Sequence, residues 1–256
     1  MEKDGSRESE AVLIHLEGIS FSYQNGQKVL QDLSFQLQEG ERVGLLGPNG
    51  SGKTTLLHII MGLLKPDSGR IEIFGRQVKE EKDFKLVRQR IGFVFQDADD
   101  QLFSPTVLED VAFGPLNQGR PVKEAKQVAR DTLKSLGLEG FENRITYKLS
   151  GGEKRLVSLA TVLAMEPEVL LLDEPTTALD AETTERIIGI LGDLNMSFLF
   201  ISHNMDFLNR TVDKIHGMAH GRIWLEEEGV VHTHVHAHEL GQIDHTHGDG
   251  DYQHEP

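Results

Sequence analysis

The segment that most constrains this chain is a glycine-rich turn between a predicted strand and a predicted helix. Residues 42–47 have the apolar pattern of a buried strand, and residues 53–64 have that of the helix after it. The turn matches G-x-x-x-x-G-K-[ST] in this strand–turn–helix context, which is typical of a phosphate-binding loop. The candidate nucleotide-binding residues are Gly47, Pro48, Asn49, Gly50, Ser51, Gly52, Lys53, Thr54 and Thr55.

This turn suits an anion for two physical reasons. Glycines accept positive φ angles, so the backbone wraps closely around phosphate oxygens, and the exposed N–H groups and dipole of a helix start favour negative charge. Lys53 is predicted to reach the β- and γ-phosphates, and the hydroxyl of Thr54 to ligate Mg²⁺. The alternative is a glycine-rich turn that only links the strand to the helix.

A second predicted strand ends in two acids. The run Val169–Asp173 is apolar up to its last residue, and Glu174 follows it. Asp173 is predicted to hold Mg²⁺ directly or through water, and Glu174 to polarise the attacking water as the catalytic base. Taken alone, the two acids could also be a strand that ends in a solvated loop.

The chain divides into three zones. Residues 1–10 are a polar lead-in, 11–225 alternate apolar runs with helical patterns, and 226–256 are acidic, rich in histidine and poor in apolar residues. The middle zone is typical of an α/β domain with a largely parallel sheet. Strands are predicted at 71–74, 91–95 and 198–202 and a hairpin at 214–224, while 97–165 form an inserted, mainly helical block that includes helices at 122–136 and 151–165.

Composition excludes several function classes. The chain has no cysteine, so it has no disulfide, thiolate zinc site or cysteine nucleophile. No apolar run approaches the roughly 20 residues of a spanning helix, and residues 1–10 are not a secretory signal. The net charge of −15 disfavours nucleic acid as a partner. A cytoplasmic protein is expected, held at any membrane by other chains.

A third motif lies between the first two and identifies a family. Ser150 stands where an N-cap is expected, which predicts a second anion-binding helix start. One chain cannot easily bring both helix starts to one ATP, so a head-to-tail dimer is predicted. With this signature, 11–225 resemble the ABC ATPases; the motif consists of Leu149, Ser150, Gly151, Gly152 and Glu153.

The resemblance implies a fold and further site residues. It implies an α/β P-loop NTPase of the ABC ATPase type, with a RecA-like core, an antiparallel β subdomain and an inserted helical subdomain. Tyr23 would stack on adenine, the alternative being a structural tyrosine. Gln96 would sense Mg²⁺ and the γ-phosphate, Asp180 would lie at the dimer seam, and His203 would contact the γ-phosphate. Catalysis would then rest on Lys53, Gln96, Glu174 and His203.

The segment after Gln96 narrows the resemblance to the energy-coupling-factor importer ATPases. Residues 97–107 and 111–117 are similar to the part of those proteins that receives the coupling helices of a transmembrane subunit. Leu102, Phe103 and Phe113 are therefore predicted to form a docking patch, the alternative being packing within the helical block. Asp97-Ala98 departs from the Asn-Pro of many relatives. The start of the signature helix resembles the cobalt and nickel members.

The C-terminal zone adds a separate indication of metal. Seven of the chain's twelve histidines lie there, and neutral imidazole suits Ni²⁺ and Co²⁺. The alternatives are an inert acidic tail or an expression tag. The candidate ligands of Ni²⁺ or Co²⁺ are His232, His234, His236, His238, His245 and His247.

The leading hypothesis is an ATP-hydrolysing subunit on the cytoplasmic face of a membrane, powering the import of nickel or cobalt. It would work as a homodimer or with a related ATPase subunit, on a transmembrane scaffold with a substrate-binding membrane subunit. The same motor could instead import a vitamin or another small molecule. A third hypothesis, a soluble ABC ATPase outside transport, is disfavoured by the docking-like segment and by the absence of a long coiled-coil insertion or a basic surface.

Overall fold

The computed structural model describes residues 11–225, which belong to one compact unit. The lead-in and the histidine tail, with all six of its candidate ligands, lie outside the described residues. Within residues 11–225, no helix combines the length and the apolar character that crossing a membrane requires.

The first sheet is antiparallel and four-stranded, in the order β2-β1-β4-β5. Its apolar residues alternate with exposed ones, as expected for a sheet with one buried face; Leu33, Phe35 and Leu37 are buried, whereas Ser34 and Gln36 are exposed. The strands are β1 (Val12–Ser22), β2 (Lys28–Gln38), β4 (Ser68–Ile73) and β5 (Arg76–Gln77).

The second sheet has six strands in the order β10-β9-β3-β8-β7-β6 and is parallel except for β10 at its edge. Every residue of β7 and β8 is buried, because this parallel sheet is packed on both faces: alternate apolar residues of the two strands belong to two separate apolar clusters. The strands are β3 (Arg42–Leu46), β6 (Ile91–Val94), β7 (Val169–Asp173), β8 (Ser197–Ile201), β9 (Lys214–Ala219) and β10 (Arg222–Leu225).

Seven α-helices and two short 3-10 helices complete residues 11–225. The 3-10 helices are Ala98–Asp100 and Thr146–Lys148. The α-helices are α1 (Lys53–Ile60), α2 (Glu81–Arg90), α3 (Val107–Asn117), α4 (Val122–Ser135), α5 (Gly151–Leu163), α6 (Ala181–Asp193) and α7 (Met205–Thr211).

The helical block lies between β6 and β7 and consists of α3, α4 and α5. Val107, Val111, Ala125, Ala129 and Leu133 are all fully buried in its apolar core. The parallel strands bring four predicted motifs to one edge of the sheet, because each motif follows the carboxyl end of β3, β6, β7 or β8. Ligands of open α/β sheets bind at that edge.

The structure corrects several predicted ends. The helix predicted at 53–64 ends at Ile60, since Gly62 takes a φ of 69°. The strand predicted at 71–74 begins at Ser68 and ends before Phe74, which has a φ of 52°. The helix predicted at 151–165 ends at Leu163, three residues before Glu166 with a φ of 55°. In each case a left-handed residue breaks or turns the element, which apolar periodicity does not reveal.

Candidate nucleotide-binding site

The glycines of the turn after β3 allow close approach of the backbone to its neighbours as well as positive φ angles. A Cβ atom on Gly47 would lie 2.0 Å from the carbonyl oxygen of Met218. Gly52, the N-cap of α1, has a φ of 109° and provides no capping side chain. The first N–H groups of α1 are therefore left for another partner.

The first turn of α1 is also distinctive in charge. It carries no acidic residue, whereas each of the other six α-helices within residues 11–225 has at least one there. Acids usually stabilise a helix start. Their absence, with Lys53 at the first position, makes this helix start attractive to an external anion.

Lys53 lies inside the turn and is only 6% exposed. Its Nζ donates hydrogen bonds to the carbonyl oxygens of Gly47 at 2.7 Å and of Pro48 at 3.0 Å. Burial lowers the pKa of Lys53, and the charges of Glu174 and Asp173 oppose that change. The side chain is thus a buried cation held by neutral carbonyls, at a place where a phosphate oxygen would be a stronger acceptor.

Asp173 ends β7 and is 2% exposed. Burial raises the pKa of Asp173, while a hydrogen bond from Thr54 and the charges of His58, Lys53 and Arg155 act to lower it. Its Oδ1 atom is buried without a hydrogen-bond partner. A carboxylate oxygen without a partner beside a hydroxyl oxygen is a donor set that suits Mg²⁺, so the predicted pair of Asp173 and Thr54 fits this ion.

Glu174 is buried and adopts a φ of 47°, which is unusual for a residue with a Cβ atom. Its N–H donates to the carbonyl oxygen of Ile201 at 2.9 Å. Its Oε2 accepts hydrogen bonds from the Thr177 hydroxyl at 3.3 Å and from the His203 N–H at 3.4 Å. Such strained residues cluster at functional sites; here the backbone aims a carboxylate back into the cleft.

His203 connects the acid to the glycine-rich turn. Its Nε2 lies 2.9 Å from Asn49 Oδ1 and 3.1 Å from Glu174 Oε1. Only the first contact has hydrogen-bond geometry, which leaves Glu174 Oε1 buried without a hydrogen-bond partner. That atom lies beside the imidazole of His203 without accepting a hydrogen bond within residues 11–225.

These residues line one open cleft of about 390 Å³. At its mouth Tyr23 is 41% exposed, lies edge-on to Phe21 and forms a 3.2 Å hydrogen bond with the Thr55 hydroxyl. The predicted residues that line the cleft are Tyr23, Asn49, Gly50, Gly52, Lys53, Thr54, Thr55, Gln96, Asp173, Glu174 and His203. Of the other predicted residues of the turn, Gly47 and Pro48 hold Lys53, and Ser51 is buried behind it.

The signature residues form a second helix start. Gly151 lines a neighbouring pocket of about 750 Å³ whose other residues include Thr54, Gln96 and Asp173. Among the described residues that line the cleft, none belongs to the signature. Ser150 is the N-cap of α5, as predicted: its Oγ accepts from the N–H of Glu153 at 3.3 Å, and Glu153 Oε2 accepts from the N–H of Ser150 at 2.8 Å. Leu149 is buried, Gly151 is exposed, and Gly152 follows at intermediate burial.

Two arginines hold this region and were not predicted from the sequence. Arg155 on α5 donates to the carbonyl oxygens of Phe95, at 2.6 Å, and of Gln96, which fixes the backbone beside the cleft. Arg144 forms a two-pronged ion pair with Glu153, at 2.7 and 3.1 Å. The sequence offered one sign of this role: Arg155 occupies a position of α5 where the neighbouring residues predict an apolar side chain.

Asp180 caps the helix after the acids. Its Oδ1 accepts from the N–H of Thr183 at 2.8 Å, and this bond is the largest cause of a lowered pKa of Asp180. Ala178, two residues earlier, has a φ of 60°. Left-handed residues at Glu174 and Ala178 thus turn the chain between β7 and α6.

The predicted docking patch is partly wrong. Leu102 is 8% exposed and packs in the core of the helical block. Phe103 and Phe113 are 66% and 46% exposed and lie edge to face with ring centroids 4.8 Å apart. They line an apolar groove of about 590 Å³, whose other apolar residues include Leu63 and Met165; we call this the docking groove.

Within residues 11–225, no group of three or more His, Asp or Glu side chains is placed to hold a metal ion. His58 instead packs edge-on against Phe93, and burial lowers its pKa. His216 is also buried. The histidines of the tail, which carry the prediction of nickel or cobalt binding, are outside the described residues.

Comparison with known proteins gives one family. The model of the ABC transporter family matches residues 30–177. A putative ABC transporter ATP-binding protein of Nitratidesulfovibrio vulgaris is 48% identical over 92% of this chain and 86% of its own length. The energy-coupling factor transporter ATP-binding protein EcfA of Methanothermobacter thermautotrophicus is 43% identical over 84% of this chain and 70% of its own.

Solved structures agree with the sequence comparisons. The cbiO1 protein of Clostridium perfringens, described as part of the ABC transporter complex cbiONQ, has a TM-score of 0.75 and 35% identity over 84% of this chain and 88% of its own. The ATP-binding cassette MJ0796, solved as a dimer bound to ADP and phosphate, has a TM-score of 0.77 and 30% identity over 84% and 98%.

Proposed function

We propose that this chain, which belongs to the ABC transporter family, is the ATPase subunit of an energy-coupling-factor type importer of nickel or cobalt. The family establishes that the chain is an ABC ATPase and that such ATPases dimerise and work with membrane subunits. The importer type, the substrate and the roles of individual residues are our proposal. The observation that carries it is the cleft at the carboxyl edge of the sheet, with a docking groove on the same chain.

The turn after β3 binds the triphosphate. The phosphate oxygens accept hydrogen bonds from the N–H groups at the start of α1. Lys53 then donates to phosphate oxygens in place of the carbonyl oxygens of Gly47 and Pro48. Tyr23 stacks on adenine at the mouth of the cleft. Asp173 and Thr54, with Gln96 lining the same cleft, would hold Mg²⁺, which would neutralise phosphate charge there.

Glu174 and His203 act on the γ-phosphate side. Glu174 accepts a hydrogen bond from the attacking water and orients it, since its Oε1 has no hydrogen-bond partner in the protein. His203 keeps its Nε2 close to both Asn49 and Glu174, so it donates to the γ-phosphate as the negative charge develops. After hydrolysis the departing phosphate breaks this contact.

A second copy, or a related subunit, completes the site. The signature residues do not line the cleft of their own chain, and Gly151 is exposed at the start of α5. In a head-to-tail dimer each signature covers the nucleotide of its partner, and Asp180 lies at the seam. ATP closes the dimer and hydrolysis reopens it.

The docking groove receives a helix of a transmembrane subunit. Exposed aromatic side chains such as Phe103 and Phe113 are typical anchors of a protein interface. Lys85, Arg88, Asp100 and Asp110 also line the groove, so its lining carries charges of both signs. The chain would thereby work on the cytoplasmic face of the membrane.

The assignment of the importer type is supported by two relatives. One is named an energy-coupling factor ATP-binding protein, and the other is described as part of a transporter complex. Nickel or cobalt is supported by the tail histidines and by the resemblance of the signature helix. Import of a vitamin or another small molecule is the outcome that would replace this part of the proposal.

The role of Glu174 is tested with Glu174→Gln. Loss of an oriented catalytic base should lower the ATPase rate by about 10²–10³-fold, and the variant should accumulate as an ATP-bound dimer on size-exclusion chromatography. Glu139→Gln, an exposed glutamate outside the cleft, is the matched control. Normal turnover by Glu174→Gln would remove Glu174 from the mechanism.

The substrate is tested by uptake and by calorimetry. Cells that express this chain with its membrane subunits should accumulate radioactive nickel or cobalt, and the Glu174→Gln complex should not. Replacing the six candidate tail histidines with glutamine should remove most Ni²⁺ or Co²⁺ binding by the purified chain, while the acidic charge stays unchanged. Unchanged binding would end the role of the tail, and vitamin uptake without metal uptake would replace the substrate.

A further inference from the structure

Asp110 is a buried acid that no step of the proposed mechanism uses. It lies in the first turn of α3 and is 3% exposed. Its Oδ1 accepts from the N–H groups of Phe103 at 3.1 Å and Ser104 at 2.8 Å, and its Oδ2 accepts from the Thr146 hydroxyl at 3.0 Å. The carboxylate therefore joins the loop that carries Phe103 to the segment that leads into the signature.

The same two segments are also joined through their backbones. Thr106 pairs with Ile145 in an antiparallel bridge. The N–H of Val107 donates to the carbonyl oxygen of Arg144 at 3.1 Å, and the N–H of Thr146 donates to that of Pro105 at 3.3 Å. The loop beside the docking groove and the segment before the signature therefore run side by side and are bonded to each other.

The second segment continues directly to the start of α5. Arg144 holds Glu153 through two hydrogen bonds, and Glu153 holds the N–H of Ser150. Polar contacts thus run from Phe103 through Asp110 to Thr146, and from Arg144 through Glu153 to Ser150, and the chain itself links Thr146 to Arg144 two residues earlier. Polar contacts have fixed directions, whereas the apolar core around them permits sliding.

We infer that Asp110 and Thr146 are positioning residues that couple the docking groove to the signature. Occupation of the groove and closure of the signature on a nucleotide would then each change the free energy of the other. This inference rests on the proposed function, because it needs both the groove and the ATP-bound dimer. The competing explanation is that Asp110 only caps its own loop.

The test uses the absence of cysteine in the chain. Phe103→Cys, labelled with a polarity-sensitive fluorophore in the Glu174→Gln background, reports on the docking groove. ATP with Mg²⁺ should change the emission of this label as the dimer forms. Thr146→Val, which removes the hydroxyl at nearly constant volume, should reduce that change by about fivefold or more, while the affinity for ATP stays unchanged.

Two further variants separate coupling from general damage. Thr146→Ser keeps the hydroxyl and should restore the response at residue 103. A label at Val122→Cys, an exposed position at the start of α4, should respond to ATP equally with and without Thr146→Val. If both labels lose their response together, or if Thr146→Val leaves the response at residue 103 intact, the inference is overturned.

The outcomes also distinguish this inference from the proposed function. Failure of the Glu174→Gln chain to form an ATP-bound dimer would count against the proposed mechanism and would appear on size-exclusion chromatography. A dimer that forms while the label at residue 103 stays silent would overturn the coupling alone.

Discussion

The starts of α1 and α5 are both glycine-rich turns, but the protein treats their free N–H groups in opposite ways. At α1 the N-cap is Gly52, with no capping side chain and no acid in the first turn. At α5 Ser150 and Glu153 form a complete capping box, and Arg144 neutralises Glu153. One helix start has no side-chain cap, whereas at the other the hydroxyl of Ser150 caps the N–H of Glu153.

The missing cap at α1 shows that the fold lacks a stabilising contact at the place where a ligand is expected to bind. A cap contributes about 1 kcal/mol to a helix, and α1 goes without one while it buries a lysine. The capped α5 keeps its position whether or not a nucleotide is present, so it can approach the nucleotide of a partner as a rigid element. Changes at α1 should therefore cost affinity with little stability, whereas changes at α5 should cost stability.

The largest expected effect is that of Lys53→Met on the α1 side. Loss of charge-assisted hydrogen bonds to phosphate should weaken ATP binding by about 10²-fold, as measured by titration calorimetry. The melting temperature should not fall, because methionine removes a buried cation whose hydrogen bonds go to neutral carbonyls.

Lys65→Met, at an exposed position, is the control and should change neither quantity. A fall in melting temperature that accompanies the loss of affinity would mean that α1 is built for stability as much as α5 is. That result would contradict the proposed difference between the two helix starts.

The next effect is that of Ser150→Ala on the α5 side. Loss of the bond from the N–H of Glu153 should lower the free energy of unfolding by about 1 kcal/mol and the melting temperature by roughly 2–4 °C for a domain of this size. ATP affinity of the monomer should not change, because Ser150 does not line the cleft. Ser150→Thr keeps the capping oxygen and should restore most of the stability; a monomer that loses ATP affinity would contradict the assignment.

The sequence predicted the α1 side better than the α5 side for a physical reason. The glycine-rich turn and the two acids at the end of β7, Asp173 and Glu174, are local patterns. Parallel strands necessarily bring their carboxyl ends to one edge of the sheet. The N-cap at Ser150 is equally local. The partners of these residues are not. Arg144 reaches Glu153 nine residues later, Arg155 reaches Phe95 sixty residues earlier, and the neighbouring residues in the sequence do not indicate where either side chain points.

The sequence also could not predict which apolar residues of the helical block are buried. Leu102 and Phe103 are adjacent and both apolar, yet one is 8% and the other 66% exposed. The 3-10 helix Ala98–Asp100 turns the chain so that Leu102 points into the core. Short irregular turns set such directions, and they leave no periodicity that a pattern could detect.

The smallest expected effect concerns acid pH and Glu153. The hydrogen bonds from Arg144, followed by that from the N–H of Ser150, lower the pKa of Glu153 in the folded chain. A lowered pKa in the folded state stabilises the fold at pH values above the ordinary glutamate pKa of about 4.3. That contribution is lost as the pH falls from there through the lower pKa of the folded state.

Glu153→Gln removes this titration and keeps a side chain that can complete the capping box. At neutral pH the variant should be less stable by about 0.5 kcal/mol, since the pair is partly exposed. The difference in melting temperature should shrink below about pH 4.3, where the wild-type carboxylate also becomes neutral. A difference that stays constant across this range would mean that the charge of Glu153 does not hold α5, and that its cap depends on hydrogen-bond geometry alone.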